Sequence, residues 1–176
     1  IAPFSQKDAE IRYHSANCGP NFACGYNGKQ PCAWGAIKVL LAFSKLPDER
    51  RTPLIQRAIQ ASVEFLFSTD PAKADYPRRE DSAGKPSRNW WKLGFPVFYV
   101  SDILQNVEAL TSLGYGRDPR LQDTIDLIRA KQDDSGRWPL EHDYKTWVNF
   151  GTKKQPNKWI TIRALRTLRA VDEAAK

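Results

Sequence analysis

The stretch Lys131-Gln132-Asp133-Asp134-Ser135-Gly136-Arg137-Trp138 closes a periodic segment with a glutamine, a glycine and a tryptophan spaced as Q-x-x-x-G-x-W. The segment before it, Arg120 to Lys131, sets Leu121, Ile125 and Ile128 on one face of a helix, at spacings of three and four. Gly136 can take positive φ beyond the helix end, and the large Trp138 indole is then expected to fold back over that end. Gln132 is expected to bond the end of a neighbouring helix. A helix, a tight turn and a returning aromatic read as one unit of a repeat.

Upstream, Asp118-Pro119 supplies a cap and a proline for the start of that helix, and the same pair of signals stands at Thr52-Pro53, ahead of Ile55, Ile59, Ser62 and Leu66. The shift from Pro53 to Pro119 is 66 residues. Each capped helix follows a more apolar one. Ala33 to Leu46 carries Ile37, Val39, Leu40, Leu41, Phe43 and Leu46, as a helix enclosed on all sides would, and Pro47 ends it. Val100, Ile103, Leu104, Val107 and Leu110 form its counterpart, ended by Gly114, and a third start follows at Trp159 with Ile162, Leu165 and Leu168. The predicted order is inner, outer, inner, outer, inner.

Two long polar connections, Pro71 to Asn89 and Pro139 to Asn157, lie between outer and inner helices. Each closes with a proline shortly before a tryptophan, in Lys85-Pro86-Ser87-Arg88-Asn89-Trp90 and in Gln155-Pro156-Asn157-Lys158-Trp159, and both tryptophans are expected to open a helix. Two-helix units cannot bury their own apolar faces, so neighbours must stack into an arc or incomplete ring. The predicted organisation is an irregular Cys/Gly/Asn-rich segment over 1–32 and a single all-α helical-repeat domain over 33–176.

Composition agrees with a globular chain: 176 residues, 41% hydrophobic and 27% charged. No run approaches the length of a membrane span, and Ile1-Ala2-Pro3-Phe4-Ser5 lacks the layout of a signal peptide, so the expected compartment is the cytoplasm. The chain opens on Ile1 and has no Met, so residue 1 is not read as a translation start, and upstream repeats are expected to complete the array. A last inner helix without its partner would expose an apolar edge, for which homo-oligomerisation is the other expected cover. The net charge of +7 is spread along the chain, with 13 basic and 9 acidic residues up to residue 88 and 14 and 11 beyond it. Arg163, Arg166 and Arg169, preceded by Lys153, Lys154 and Lys158, form a local basic stripe: a solvated helix face, or a contact for phosphate or acidic headgroups. No nucleic-acid-binding motif accompanies it.

The Q-x-x-x-G-x-W turn resembles the QW motif of squalene and oxidosqualene cyclases, relatives of the protein prenyltransferases. Trp91-Lys92-Leu93-Gly94-Phe95-Pro96-Val97-Phe98-Tyr99, Gly136-Arg137-Trp138-Pro139-Leu140-Glu141 and Lys158-Trp159-Ile160-Thr161-Ile162-Arg163-Ala164-Leu165 are similar to a prokaryotic group related to squalene cyclases, and the likeness covers most of the chain from Cys32 onward. It implies an α/α-toroid of paired inner and outer helices and a hydrophobic ligand between the inner helices. It implies no particular reaction.

Hopene-type cyclases protonate an alkene with a D-x-D-D cluster, which is absent here. Asp133-Asp134 lies in the turn, where carboxylates serve turn formation, and it departs from the magnesium-binding D-D-x-x-D at the last position. The acid candidate is Asp102, whose plain role is helix capping. Trp90, Trp91, Phe95, Phe98, Tyr99 and Trp159 are candidates to line an aromatic cavity, with core packing as the plain reading. Glu141-His142-Asp143 is a second titratable cluster, on a loop.

No motif demands a cofactor. His14, Cys18, Cys24 and Cys32 are the only zinc candidates, but their gaps lack the C-x(2–4)-C knuckle; reduced thiols are the plain reading in the cytosol, and a Cys18–Cys24 disulfide stands between the two. Two functions remain open: a squalene or terpene cyclase-like domain that binds, and in a catalytic version transforms, an isoprenoid or other hydrophobic ligand; or a non-catalytic helical-repeat module that binds another protein. The partner is thus a hydrophobic small molecule or a protein.

Overall fold

The computed structural model describes residues 18–19, 23–24, 27, 30–77, 88–98, 100–144 and 146–174. His14 and Tyr99 lie outside them. The described residues are mostly helical, with five α-helices, and the chain divides into two compact units, Ile1–Pro86 and Ser87–Lys176. That division falls inside the stretch 33–176, which patterning alone joins into one domain.

The first unit opens with a two-residue antiparallel ladder of β1 (Cys18–Gly19) and β2 (Ala23–Cys24), followed by α1 (Ala33–Phe43) and α2 (Pro53–Leu66). Helix α1 is not enclosed all round. It buries Ala33, Ala36, Ile37 and Leu40 along one stripe, while Val39, Leu41 and Phe43 are half-covered. It ends at Phe43, where Ser44 turns its hydroxyl onto the Leu41 carbonyl at 2.9 Å and Pro47 prevents continuation. Helix α2 starts as expected, with the Thr52 hydroxyl accepting from the Ile55 N–H at 3.4 Å and Pro53 in the first turn. Its buried face, Ala58, Ile59, Ser62, Val63 and Leu66, packs against α1, and the Ser62 hydroxyl donates back to the Ala58 carbonyl. Beyond α2, Tyr76 folds back to donate to the Leu66 carbonyl at 2.7 Å, and burial pushes its phenol pKa upward.

The second unit holds α3 (Ile103–Thr111), α4 (Gln122–Arg129) and α5 (Lys158–Ala174), with α3 packed on both others. Helix α3 starts at Ile103. Trp90 therefore does not open it: it sits in a turn, 3% exposed, and its carbonyl accepts from the Ile103 N–H at 2.7 Å. Between them Leu93, Phe95 and Val100 are held by individual bonds rather than by helical periodicity, so the proline-tryptophan pattern places the start too early. Gly114, at φ 91°, ends the α3 turn, with the Tyr115 N–H reaching the Leu110 carbonyl. Asp118 and Pro119 then begin a single 3-10 turn, Pro119–Leu121, that runs into α4, and Leu121, Ile125 and Ile128 are buried together as the spacing predicts.

Past α4, Gly136 takes φ 76° and Trp138, 1% exposed, returns its indole N–H to the Ile128 carbonyl at 2.7 Å. The expected closing of the helix by the aromatic is realised. Gln132 departs from expectation: it is exposed and makes no side-chain hydrogen bond to the described residues. The connection after Trp138 doubles back on itself. Leu140 N–H donates to the Gln155 carbonyl, Lys154 N–H to the Leu140 carbonyl and Asn157 N–H to the Trp138 carbonyl. Asn157 then caps α5, its side-chain oxygen accepting from Trp159 N–H at 3.0 Å and Ile160 N–H at 3.3 Å. The buried stripe of α5 is Ile160, Ala164, Thr167, Leu168 and Val171, so the expected stripe holds at Leu168 but not at Ile162 and Leu165, which are 49% and 50% exposed.

Candidate functional site

In the second unit, three loop segments meet over the N-terminal ends of α3 and α5. Leu93 and Gly94 lie alongside Glu141 and His142: the Leu93 carbonyl accepts from the Glu141 and His142 N–H groups, and the Phe95 N–H donates to the His142 carbonyl at 3.2 Å. The Glu141 carboxylate accepts from the Leu93 N–H and pairs with Lys131 at 2.8 Å, fixing this crossing to the end of α4.

Asp102 sits beneath the crossing and is nearly fully buried. One carboxylate oxygen caps α3, accepting from Gln105 N–H at 2.7 Å, and the other accepts from Gly94 N–H at 3.0 Å. The Arg163 guanidinium reaches both oxygens, at 3.2 and 3.3 Å, and also donates to the Gly94 carbonyl at 2.9 Å. Glu108 stands 3.6 Å from its other side. Burial disfavours the charged guanidinium, but the Asp102 and Glu108 carboxylates more than offset this and hold the Arg163 pKa above its ordinary value. An acid that protonates a ligand must present an oxygen to it. Asp102 instead spends both oxygens accepting from Gln105, Gly94 and Arg163, so its visible work is to lock the loop, α3 and α5 together.

Above this pair lies an aromatic surface. Phe95 stacks on Trp159 with ring centroids 5.1 Å apart and planes within 4°, and Phe150 meets Phe95 edge-on at 5.1 Å. Lys158 extends its ammonium over the Trp159 ring, 5.1 Å from the centroid. A second group joins it through the Gly94 and His142 bridge: His142 and Phe98 both pack on Tyr144, whose hydroxyl accepts from Val100 N–H at 3.0 Å. Phe98 is 54% exposed and Trp159 36%. Of the candidate lining residues, Phe95, Phe98 and Trp159 thus belong to this surface, whereas Trp90 is core in the turn that precedes it and Trp91 is half-buried there. Phe150 and Tyr144 escape sequence reasoning, and Arg163 figures in it only as part of a basic stripe, not as the partner of Asp102. Arg163 alone had a usable signal, since it follows Trp159 by four residues and must look the same way along the helix.

The remaining candidates are dispersed. Asp133 organises its own turn, accepting from Ser135 N–H, Ser135 hydroxyl and Arg137 N–H, and these donors lower its pKa. Asp143 pairs with Lys153 at 2.6 Å. Burial, reinforced by the Lys153 charge, holds His142 below its ordinary pKa, and its Nε2 is buried without a hydrogen-bond partner among the described residues. The basic stripe on α5 is broken up, because Arg163 serves Asp102 and Arg169 serves Glu173 at 2.7 Å. A groove of about 520 Å³ beside α4 and α5, lined by Arg129, Gln132, Leu165, Arg169, Asp172 and Glu173 among others, is of mixed charge.

For the zinc candidates, the structure describes the Cys18 backbone and the Cys24 and Cys32 side chains, and among the described residues no three His, Cys, Asp or Glu side chains are grouped to hold a metal ion. No helix among them is long and apolar enough to cross a membrane. No protein-family model, curated protein or solved structure matches the chain.

Proposed function

We propose that the chain is a segment of an α/α-toroid of the squalene cyclase and prenyltransferase kind, and that it binds an isoprenoid or another hydrophobic ligand against the aromatic surface of Phe95, Phe98, Phe150 and Trp159. The toroid reading is supported by the helix-turn-tryptophan unit at the end of α4 and by the capped helix starts at Thr52 and Asp118. The single observation that carries the ligand is the parallel stack of Phe95 on Trp159, left partly in solvent at the head of α5. Rings packed as core would be covered; these offer polarisable edges and faces to an apolar guest. Asp102 and Arg163 act as positioning residues, holding Gly94 and α5 so that the two rings stay in register. The reading is one of binding, because the acid candidate is occupied by its own donors.

Equilibrium dialysis against labelled farnesol tests this. We expect saturable binding that falls about tenfold in Phe95→Ala or Trp159→Ala and is unchanged in Leu54→Ala, an exposed apolar residue of the first unit. Equal binding by all four proteins would overturn the aromatic surface as the site. The second reading, a protein-binding module, is favoured by Trp147, which is 100% exposed beside the half-exposed Val148 on the loop before α5. It predicts no farnesol binding and a co-purifying protein that Trp147→Ala fails to retain.

A further inference from the structure

Past Trp138 the chain makes a closed excursion from the second unit. Its neck is backbone pairing: Leu140 N–H donates to the Gln155 carbonyl at 3.0 Å and Lys154 N–H to the Leu140 carbonyl at 2.7 Å. Glu141 to Lys153 run beyond that neck, and Trp147 stands at their middle. The tip is shaped by its own bonds. The Thr146 hydroxyl donates to the Val148 carbonyl at 2.6 Å, the Gly151 N–H to the Asn149 side-chain oxygen at 2.8 Å, and the Asn157 side-chain amide to the Phe150 carbonyl at 2.7 Å. On this frame Trp147 is 100% exposed and Val148 51%. An indole held wholly in water forgoes the burial that so large an apolar ring usually gains, so the tip is shaped to meet a medium other than its own core.

Charge selects that medium. Both acids of the excursion are paired within the unit, Glu141 with Lys131 at 2.8 Å and Asp143 with Lys153 at 2.6 Å. Lys154 and Lys158 are exposed, and among the described residues no carboxylate pairs with either. Contacts tie Lys158 to the tip: Phe150, two residues past Val148, meets the Trp159 ring edge-on at 6.3 Å, and the Lys158 ammonium lies 5.1 Å from the centre of that ring. The excursion thus presents an apolar point with unpaired cations behind it, on a chain whose net charge of +7 has the same sign.

We propose that this excursion is a peripheral membrane anchor, in which Trp147 and Val148 enter the interface of an anionic bilayer while Lys154 and Lys158 meet its phosphate headgroups. An indole suits that layer, because its ring leaves water while its N–H still finds oxygen acceptors. The lysines gain from the negative surface potential, with their stems lying along the apolar boundary. A protein partner would have to supply a fitted pocket for a ring that protrudes with only Val148 as an exposed large apolar neighbour on the excursion. A bilayer covers the same ring without a pocket. One ring, one valine and two charges give shallow, reversible attachment and call for no spanning helix. The anchor is independent of the ligand surface, since neither Trp147 nor Val148 belongs to the rings around Phe95 and Trp159.

Sedimentation of the full chain with sucrose-loaded vesicles tests the anchor, comparing phosphatidylcholine alone with phosphatidylcholine containing phosphatidylglycerol. The expected result is binding to the mixed vesicles that weakens as salt is raised, and little binding to phosphatidylcholine alone. Trp147→Ala should lower the partition coefficient about tenfold, and Lys154→Gln combined with Lys158→Gln about thirtyfold. Leu54→Ala, exposed in the first unit, should leave it unchanged. Bromine-labelled acyl chains should quench tryptophan emission in the parent chain and markedly less in Trp147→Phe. Because Trp147 is wholly exposed, its replacement should leave the thermal midpoint by circular dichroism in place, so lost binding is not lost folding. No binding to the mixed vesicles, binding unaltered by Trp147→Ala, or quenching unaltered by Trp147→Phe would each overturn the anchor. A protein held through Trp147 by a chain that ignores vesicles would also overturn it, in favour of protein recognition.

Discussion

Trp159 and Arg163 sit one helical turn apart on α5, and between them they hold both sides of the crossing loop: one stacks on Phe95, the other bonds the Gly94 carbonyl and the Asp102 carboxylate. Removing the acid leaves a guanidinium in a site from which water is largely excluded. Asp102→Ala is therefore expected to lower stability by roughly 3–5 kcal/mol, read as a shift in the urea midpoint; an unchanged midpoint would mean the pair is idle. Trp138 tests the helix closure separately. Trp138→Phe keeps most of the ring but removes the indole donor from the Ile128 carbonyl, which keeps the Lys131 N–H at 3.2 Å, and a cost of roughly 0.5–1.5 kcal/mol is expected from the same denaturation measurement. His142 gives the pH dependence. Its folded pKa lies below the ordinary 6.5, so the unfolded chain binds the proton more tightly, and its contribution is present above pH 6.5 and lost as pH falls. Replacing it in His142→Gln should flatten the decline in stability as the pH falls below 6.5.

At the scale of the helices, α5 shows how much patterning can and cannot resolve. Its apolar residues admit two phases that share Leu168, one through Ile162 and Leu165 and one through Ile160 and Ala164, and only the second is buried. Ile160→Ala should cost roughly 2–5 kcal/mol, whereas Ile162→Ala should stay within about 0.5 kcal/mol, by thermal or chemical unfolding. The reverse order would restore the phase that spacing alone suggested. Helix starts were legible wherever a cap and a proline coincide, at Thr52-Pro53 and Asp118-Pro119, and turns wherever glycine must take positive φ, at Gly114 and Gly136. These signals are local. The tryptophan signal misplaces the start of α3 because the Trp90 carbonyl takes the Ile103 N–H across twelve residues, which no periodicity announces. The site was legible in part: Phe95, Phe98 and Trp159 stood out as aromatics, but Phe150 and Tyr144 reach the surface from a loop whose path is set by pairing between Leu140 and Gln155.

For the whole chain, the excess of positive charge tells less than the count of +7 suggests, since two of the four basic residues of α5, Arg163 and Arg169, are paired with carboxylates of the second unit. What distinguishes the molecule is the partly exposed aromatic surface of the second unit. The account's central claim is that this surface receives a hydrophobic ligand. Native mass spectrometry of the protein taken from its own host, compared under mild and denaturing conditions, tests it most directly. The account predicts a bound mass in the isoprenoid range that is released on denaturation and absent from Trp159→Ala. A chain that flies bare under mild conditions, or one that keeps the same adduct in Trp159→Ala, would contradict it.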